Sequence, residues 1–407
     1  MYLRLSHDTR KCNGKLRITG SKSETNRLLL LQALFSGFLI ENKSNSDDSR
    51  VMEAALNSDA KLIDINHAGT AMRFLTAYFS QLEGREVVLT GSSRIQERPI
   101  KILVDGLRSL GAKIFYEKKD GYPPLRIKGR KLIGGSVVLP ADVSSQYVSA
   151  LLMLGPVLEK GIELKLLGEI TSFPYIKMTL DLLHNFGVSF KLNSHNIKVN
   201  FLQSPKKNLQ LVESDWSSAS YFFSIVALSE EAEIHLKSYK PESLQGDAVL
   251  KSIYKELGVN SRFVEQSLIL TKEKRKLPEY IKLNLSKSPD IAQTIAVTCF
   301  GLGIGCDLEG LNTLKIKETD RLVALENELS KLGAIISITD KSLHLSPGNN
   351  FIQDCSILTY EDHRMAMSFA PLALKTSLYI EEANVVSKSY PDFWRDLTEL
   401  NFKIEER

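Results

Sequence analysis

The feature that most restricts how this chain can fold is an internal repeat. Its pattern is an amphipathic helix that ends in Leu-Gly or a close variant and is followed by two short alternating strands. Four copies contain Gly111, Gly187, Gly258 and Gly333, which are separated by 76, 71 and 75 residues. In a fifth copy Asn401 takes the place of glycine, and Asn also tolerates the left-handed backbone conformation that follows a helix. The pattern therefore predicts a structure built from units of about 70 residues.

Each unit also contains a second helix that is almost wholly apolar after its first turn. Examples are SSQYVSALLMLGPVL, DWSSASYFFSIVALS, PDIAQTIAVTCFGLG and DHRMAMSFAPLAL. A helix that is apolar all round is buried on all sides, so we predict an α/β fold in which buried helices are surrounded by short sheets. Residues 51–66, where a sixth copy should fall, are too few for a helix and a full hairpin. One repeat is therefore predicted to be abridged.

The chain is large enough for more than one domain. Its 407 residues exceed what one hydrophobic core usually supports, so we predict two domains of about 200 residues each. Hydrophobic residues make up 43% of the chain and charged residues 25%, which is typical of soluble globular proteins. The net charge is only +4 and no basic block stands out, so nucleic-acid binding is not indicated. Small anionic ligands remain compatible, because a few focused cations suffice to bind them.

The four cysteines form no CxxC pair, and three of them lie in apolar or mixed segments. This usage favours reduced thiols in a cytosolic protein and indicates neither a zinc site nor a disulfide framework. The first residues lack the apolar region of a signal peptide, and no run approaches about 18 uncharged apolar residues. We therefore predict a cytoplasmic location, without a membrane partner.

Basic residues occur at the predicted starts of several helices, where they are electrostatically unfavourable. In GSKSETNR, Ser21 and Glu24 have the spacing of a capping box, and Lys22 and Arg27 accompany the start of the helix. The N-terminus of a helix carries partial positive charge, so a cation in the first turn costs about 0.3–1 kcal/mol unless an anion lies nearby. The segment therefore indicates an anionic partner.

Related helix starts, with hydroxyl or amide side chains, Lys or Arg, or both, occur in six further segments. They are HAGTAMRFL, ERPIKILVDGL, VSSQY, TSFPYIK, KIKETDRLVAL and EDHRMAMSF. For any single site the simpler interpretation is an N-cap serine, and Glu97, Asp320 and Asp362 could simply neutralise the arginines near them. Several such sites in one chain predict instead a shared pocket for a ligand with multiple negative charges.

Asp290 in KSPDIAQT and Glu318 in KIKETDR are carboxylates in cationic or apolar segments, as general acids and bases often are. His363 has no second His, Cys or carboxylate at ligand spacing, so it is expected to orient a neighbour rather than to bind metal. Neither GxGxxG nor GxxxxGKS/T occurs. Neutral hydrogen bonds to phosphate or hydroxyl oxygens are available from Ser144, Ser145, Gln146 and Ser172.

Eight segments, in order and over nearly the whole chain, resemble the signature motifs of the 5-enolpyruvylshikimate-3-phosphate (EPSP) synthase family. They are GSKSETNR, AGTAMR, ERPI, SSQY, DWSSASYF, SPDIAQT, KIKETDR and YEDHRMAM. The resemblance implies transfer of the enolpyruvyl group of phosphoenolpyruvate to the 5-hydroxyl of shikimate 3-phosphate, with release of phosphate, in aromatic amino-acid biosynthesis. It implies these two small-molecule substrates, no metal and no organic cofactor.

The resemblance also implies the architecture, which is a two-domain inside-out α/β barrel of six βαβαββ-type repeats. One domain would comprise residues 1–19 plus 214–407, and the other residues 20–213, with the abridged repeat near residues 51–66. Each domain would hold three repeats, and the active site would lie in the cleft between them. A monomer is expected.

Matching the motifs residue by residue implies three sets of site residues. The expected catalytic residues are Asp290 as the base that takes the 5-hydroxyl proton, Glu318 as the acid that protonates the methylene carbon, and Lys22. The shikimate 3-phosphate set is Lys22, Ser23, Arg27, Ser144, Ser145, Gln146, Ser172, Asp290 and Lys317. The phosphoenolpyruvate set is Lys22, Gly69, Arg98, Gln146, Arg321, Arg364 and Lys388.

Two departures and two alternatives accompany this interpretation. His67 and Thr313 replace asparagines that are common in the family, so neither is included among the site residues. The sister enzyme that acts on UDP-N-acetylglucosamine shares the fold, but it typically carries a cysteine in the loop corresponding to GSSRIQERPI, which has none here. A noncatalytic anion-binding relative is the other alternative, although both carboxylates and all the cations are present.

Overall fold

The chain folds into two compact units. The computed structural model describes residues 1–140, 144–168, 170, 173–206, 209–348 and 351–407. The first unit comprises Met1–Thr19 and Glu213–Arg407, and the second comprises Gly20–Val212. Glu213, which the sequence-based boundary placed with residues 20–213, groups with the first unit, where its Oε1 accepts a hydrogen bond from Trp216 Nε1 (2.8 Å).

The described residues form thirteen α-helices. Within this part of the chain, none of the helices has the length and apolar character needed to cross a membrane. The helices are α1 (Lys22–Leu34), α2 (Asp47–Leu56), α3 (Gly69–Gln81), α4 (Ser93–Gln96), α5 (Lys101–Ser109), α6 (Ser145–Leu154), α7 (Phe173–Asn185), α8 (Trp216–Leu228), α9 (Leu250–Glu256), α10 (Ala292–Leu302), α11 (Arg321–Lys331), α12 (His363–Phe369) and α13 (Phe393–Thr398).

The strands are short, and most alternate between buried and exposed side chains. In the strand Ile162–Leu167, for example, Ile162 and Leu164 are buried while Glu163 and Lys165 are exposed. The strands are β1 (Leu3–Ser6), β2 (Lys11–Leu16), β3 (Ile40–Glu41), β4 (Leu62–Asp64), β5 (Glu86–Thr90), β6 (Lys113–Tyr116), β7 (Leu125–Lys128), β8 (Gly135–Pro140), β9 (Ile162–Leu167), β10 (Phe190–Asn193), β11 (Asn196–Val199), β12 (Gln210–Leu211), β13 (Glu231–Lys237), β14 (Val259–Val264), β15 (Ser267–Lys272), β16 (Tyr280–Asn284), β17 (Gly305–Glu309), β18 (Ile336–Ile338), β19 (Ser342–Leu345), β20 (Cys355–Ile357), β21 (Leu378–Ile380) and β22 (Lys403–Glu406).

Five four-stranded sheets share one pairing pattern, in which a parallel pair at one edge is followed by two antiparallel pairs. The register places apolar residues opposite each other, as where Val87 faces Ile127 and Leu89 faces Leu125. The sheets of the first unit have the orders β2-β13-β15-β14, β16-β17-β19-β18 and β20-β21-β1-β22, and those of the second unit have the orders β8-β9-β11-β10 and β4-β5-β7-β6. The common pattern is the structural form of the repeat seen in the sequence.

The remaining sheet confirms that one repeat is abridged. Among the described residues it contains only β3 and β12, which pair in parallel. Residues 51–66 hold the end of α2 and the strand β4, which belongs to the next sheet. The five residues between α2 and β4 leave no room for the helix and hairpin that the other repeats contain.

Buried helices fill the interior of the first unit, as the sequence predicts. Every residue of α12 is buried, and so is α10 except its last residue. Thr294 Oγ1 of α10 lies 3.0 Å from Ser220 Oγ of α8 and 3.2 Å from Ser368 Oγ of α12, and these hydroxyls are each 74 residues apart in sequence. Because the three helices share this register, their first turns lie at the same end of the unit.

The residues that end the repeated helices adopt the left-handed conformation that the pattern predicts. Gly111, Gly187, Gly258 and Gly333 have φ angles of 98°, 90°, 80° and 98°. Asn401 takes the same position after α13 with φ of 68°. A side chain at the glycine positions would therefore strain the backbone.

Replacing Gly111 by alanine tests this requirement. An added Cβ would have no atom within 4 Å, so Gly111→Ala should lower the free energy of unfolding through backbone strain alone, by about 1–2 kcal/mol. The matched control is Gly348→Ala, where the space is equally open and φ is not positive. The control should change stability by no more than about 0.5 kcal/mol in urea unfolding. Equal effects of the two substitutions would contradict the strain argument.

Candidate active site

In the second unit, the start of α1 carries the cations that the sequence singled out. Ser21 caps the helix by accepting a hydrogen bond from the Glu24 amide (3.4 Å), with Ser23 in the first turn. The side chain of Lys22 is largely buried, and its Nζ lies 3.5 Å from Asp48 Oδ2 in the first turn of α2. The acid that offsets the Lys22 charge is therefore supplied by a neighbouring helix.

Arg27 ties three helices of the second unit together. It is only 3% exposed. Its guanidinium donates to Thr179 Oγ1 (2.7 Å) and Ser149 Oγ (3.0 Å) and to the carbonyl oxygens of Ser23 (2.8 Å) and Tyr175 (3.2 Å). Burial lowers the pKa of Arg27 to about 10, so the side chain stays charged at neutral pH. These four acceptors are neutral, and the acid that acts on the Arg27 charge is Glu24 of the same helix.

Two arginines meet at Gly69, the first residue of α3. A Cβ at Gly69 would lie 2.5 Å from Arg98 Nη1 and 3.4 Å from Arg73 Nη1. Arg73 is 3% exposed and donates to the carbonyl oxygens of Gly69 (3.0 Å) and Pro99 (3.3 Å). Its Nε has no hydrogen-bond partner among the described residues.

The charge at this cluster is not balanced by neighbouring acids. Burial, and then the charge of Arg98, lowers the pKa of Arg73 to about 10. Glu97 pairs with Arg94 (3.3 Å), so it does not neutralise Arg98 as the simpler interpretation required. In the described part of the chain no ion pair to Arg73 or Arg98 is found. Two adjacent guanidinium groups at a helix start form a site suited to an anion.

The start of α6 lies beside the start of α3. Ser144 caps α6 by accepting from the Gln146 amide (3.4 Å), and Ser145 is buried. The Gln146 side chain donates from Nε2 to Thr70 Oγ1 of α3 (3.0 Å). The structure thus brings these polar groups to the helix start that carries the two arginines, whereas Ser172 lies outside the described residues.

In the first unit, Arg321 holds three carboxylates. It is 1% exposed and donates to Asp362 Oδ2 (2.7 Å), Asp290 Oδ1 (2.9 Å) and Glu318 Oε2 (2.8 Å). Burial lowers the pKa of Arg321, but these carboxylates raise it by more, so the guanidinium is permanently charged. Asp320, the neighbouring acid in sequence, instead caps α11 by accepting from the amides that follow.

Asp290 lies among three cations. Besides Arg321 it has Lys317 Nζ at 3.4 Å and Arg364 Nη2 at 3.6 Å. Arg364 also donates to the Asp290 carbonyl oxygen (3.0 Å), and its backbone amide donates to Asp362 Oδ1 (2.8 Å). The structure therefore brings together the predicted residues of KSPDIAQT, KIKETDR and EDHRMAM.

Lys388 is held near this group by a neutral acceptor. Its Nζ donates to the carbonyl oxygen of Glu361 (2.7 Å), immediately before the start of α12. Because a carbonyl does not cancel the ammonium charge, Lys388 keeps its positive charge available to an anion.

Asp247 and Ser217 were not predicted from the sequence. Asp247 is 5% exposed and accepts a hydrogen bond from the Ser217 hydroxyl, which in turn accepts one from Arg364 Nη2 (3.3 Å). Burial, and then the charge of Asp290, raises the pKa of Asp247 to about 7. An isolated QGD before a short helix carries no signal that would have identified this contact, because it depends on tertiary packing.

Thr313 and His67, which were left out of the predicted site, lie in different surroundings. The Oγ1 of Thr313 is buried and has no hydrogen-bond partner in the described chain. His67 is exposed, and its Nδ1 lies 2.9 Å from Ser92 Oγ. Across the residues that the structure describes, no group of three or more His, Cys, Asp or Glu side chains is arranged to hold a metal ion.

Comparison with known proteins identifies similar chains over nearly the full length. A family model described as EPSP synthase (3-phosphoshikimate 1-carboxyvinyltransferase) matches residues 40–397. A 3-phosphoshikimate 1-carboxyvinyltransferase of Bacteroides fragilis is 46% identical over 396 residues, which is 96% of each chain. The protein of that name from Shewanella pealeana is 35% identical, over 96% of this chain and 97% of its own.

Two solved structures share the fold. An EPSP synthase from Acinetobacter baumannii has a TM-score of 0.80 at 20% identity, with 100% of both chains covered. The enolpyruvyl transferase NikO from Streptomyces tendae has a TM-score of 0.77 at 14% identity, with 99% of this chain and 98% of its own covered. The predicted α/β fold with two units of repeats is thus confirmed.

The raised pKa of Asp247 predicts how stability depends on pH. The folded state retains a proton up to about pH 7, whereas the unfolded carboxyl releases it near pH 3.9. Raising the pH between these values therefore removes stability from the wild type, and Asp247→Asn should escape this loss. Relative to the wild type, the variant should gain about 2–3 kcal/mol of unfolding free energy between pH 5 and pH 7.5. Urea unfolding at both pH values measures this gain, and a pH-independent difference would contradict it.

Proposed function

Because the chain belongs to the EPSP synthase family, we propose that it transfers the enolpyruvyl group of phosphoenolpyruvate to the 5-hydroxyl of shikimate 3-phosphate. The observation that carries this proposal is the pair of carboxylates, Asp290 and Glu318, fixed on the buried Arg321 beside Lys317 and Arg364. Such a group supplies both acid–base residues and cations for a phosphorylated substrate.

The proposed reaction begins with attack of the 5-hydroxyl oxygen on carbon 2 of phosphoenolpyruvate. Asp290 accepts the hydroxyl proton, and Glu318 donates a proton to carbon 3, which becomes a methyl group. In the second half of the reaction, the Glu318 carboxylate takes back a methyl proton and Asp290 gives its proton to the departing phosphate, so the carbon–carbon double bond is restored and both carboxyl groups return to their starting states. Charge-assisted bonds from Arg321 (2.9 and 2.8 Å) hold both carboxylates in place for these proton transfers.

For shikimate 3-phosphate we propose the residues at the starts of α1 and α6 together with Asp290 and Lys317. Arg27 already donates to four protein oxygens, so part of its proposed role is to hold Ser23 and the first turn of α1 in position. The full proposed set is Lys22, Ser23, Arg27, Ser144, Ser145, Gln146, Ser172, Asp290 and Lys317.

For phosphoenolpyruvate we propose a set that consists mainly of cations. Arg98 at Gly69 is the strongest candidate, because no ion pair to it is found within the described ranges. Arg321 is also in the proposed set, but its three carboxylates mean that a direct contact requires one of them to release its bond. The full proposed set is Lys22, Gly69, Arg98, Gln146, Arg321, Arg364 and Lys388.

The alternatives are not favoured. The relatives from Bacteroides fragilis and Shewanella pealeana, which match over nearly the whole chain, carry the name 3-phosphoshikimate 1-carboxyvinyltransferase. A noncatalytic role is not favoured either, because both proposed acid–base residues are present and held by Arg321. The cytoplasmic location and the monomer stay predictions from the sequence.

Phosphate release by the purified protein tests the proposed function. The two substrates together should release phosphate, whereas either one alone, or phosphoenolpyruvate with UDP-N-acetylglucosamine, should release none. Binding of both substrates without phosphate release would instead favour a noncatalytic relative.

Isosteric replacement of the two carboxylates tests their roles. Asp290→Asn and Glu318→Gln should each lower turnover about 100- to 10,000-fold, since they remove a general base or acid but keep its shape. Substrate affinity, measured by titration calorimetry, should change far less. Glu326→Gln on the same helix as Arg321 is the matched control and should turn over at the wild-type rate. Near-wild-type turnover in either active-site variant would refute the assigned role.

Gly69→Ala tests the proposed phosphoenolpyruvate contact of Arg98. The new Cβ would lie 2.5 Å from Arg98 Nη1, so the guanidinium must move while the backbone stays in place. We expect the KM for phosphoenolpyruvate to rise about tenfold, the loss typical of one displaced charge-assisted bond. The KM for shikimate 3-phosphate is the internal control and should change little. An equal rise in both KM values would argue against a specific role for Arg98.

A further inference from the structure

We propose that Asp247 is a positioning residue for Arg364, which it reaches through the Ser217 hydroxyl. This inference rests on the proposed function, since it concerns how tightly Arg364 binds phosphoenolpyruvate. We call the three residues the Asp247 relay. All three belong to the first unit.

The relay is a directed chain of hydrogen bonds. Arg364 Nη2 donates to Ser217 Oγ (3.3 Å), and the Ser217 hydroxyl donates to Asp247 Oδ2. Because Asp247 takes the only proton that Ser217 can donate, the Ser217 oxygen is left with its lone pairs facing Arg364. Bonds in such a chain strengthen one another in a low-dielectric interior. Asp247 therefore fixes the orientation of the group that accepts from Arg364.

The hydrogen bond to Ser217 restrains one side of the Arg364 guanidinium. Its Nη1 is held by the Asp290 carbonyl oxygen at 3.0 Å, whereas its Nη2 lies 3.6 Å from Asp290 Oδ2. The latter distance exceeds that of a strong charge-assisted bond, which is about 2.7–2.9 Å. Ser217 Oγ, at 3.3 Å, is thus nearer to Nη2 than the Asp290 carboxylate is. Loss of the Ser217 hydroxyl would remove one restraint on the orientation of the guanidinium.

Hydrogen bonds hold the loop that carries Asp247 against the start of α8. Gln245 Oε1 accepts from the Trp216 amide (2.9 Å), and Gln245 Nε2 donates to the Ser214 carbonyl oxygen (3.0 Å). Glu213 Oε1 accepts from the Lys240 amide (2.9 Å), which anchors the beginning of the same loop. Asp247 therefore lies on a segment that these hydrogen bonds hold at the start of α8.

The charges that face Asp247 come from three elements. Asp215 precedes α8, Asp290 precedes α10, and Arg364 lies in α12. The two carboxylates disfavour the ionised form of Asp247, and Arg364 favours it. An anionic substrate that draws Arg364 away would remove that support, so the relay links the position of Arg364 to the protonation of a buried acid.

A purely structural role for Asp247 makes different predictions from a positioning role. If Asp247 only stabilised the start of α8, its loss would lower stability and affect both substrates alike. If it positions Arg364, its loss should raise the KM for phosphoenolpyruvate selectively. The effects of removing Asp247 and Ser217 should then overlap, because each substitution breaks the same chain.

Steady-state phosphate release with Ser217→Ala, Asp247→Ala and the double variant tests the relay. Each single variant should raise the KM for phosphoenolpyruvate about tenfold, as expected for a lost hydrogen bond to a charged group. The double variant should raise it by no more than about threefold beyond either single one. Both kcat and the KM for shikimate 3-phosphate should stay within about threefold of wild type. Asp247→Asn should lose less than Asp247→Ala, because the amide oxygen still accepts from Ser217.

The control is Ser252→Ala in α9, shortly after Asp247. The exposed Ser252 donates to the Val249 carbonyl oxygen (2.8 Å) and not to the relay, so its loss should leave the KM for phosphoenolpyruvate unchanged. A wild-type KM in Ser217→Ala, effects that multiply in the double variant, or equal changes for both substrates would overturn the relay. Absence of wild-type phosphate release would refute the proposed function itself, so the two failures are distinct.

Discussion

The buried guanidinium of Arg321 is the charge on which the arrangement of the first unit's site depends. A charge removed from water is strongly unfavourable unless it is paired and fully hydrogen-bonded. Asp290, Glu318 and Asp362 meet that requirement together, each at 2.9 Å or less. If any one of them left, the arginine would have an incomplete set of partners, so Asp290 and Glu318 are held in fixed positions. Stability and site geometry here have the same cause.

In the second unit, neutral groups surround the buried arginines. The hydrogen-bond partners of Arg27 and Arg73 are hydroxyls and carbonyls rather than carboxylates. Arg98 lies beside Arg73. Neutral acceptors satisfy the N–H groups of a guanidinium without cancelling its charge. A region of this kind is suited to an anion, and burial is the main cause of the lowered pKa values of Arg27 and Arg73. The family to which the chain belongs uses two phosphorylated substrates, which fits such a region.

Much of the fold could be predicted because local sequence patterns determine it. The residues that end the repeated helices, such as Gly111 and Asn401, need a left-handed backbone whatever surrounds them. The abridged repeat follows from the small number of residues in the segment 51–66. Charge pairing could not be predicted in this way: Glu97 turns to Arg94 and not to Arg98. Asp247 was missed for the same reason, since its partner Ser217 comes from a segment that is distant in sequence.

The hydroxyl cluster of Ser220, Thr294 and Ser368 has a consequence for how the first unit assembles. The contacts among the three groups form only when their helices stand at one common height in an apolar interior. Sliding α12 by a turn would break the hydrogen bond between Ser368 and Thr294, at about 1–3 kcal/mol for each group left unsatisfied. Exchanging two helices would incur no such penalty, because all three offer the same chemistry. Axial alignment is thus encoded in the core, whereas the order of the helices around it must be dictated by the connecting strands.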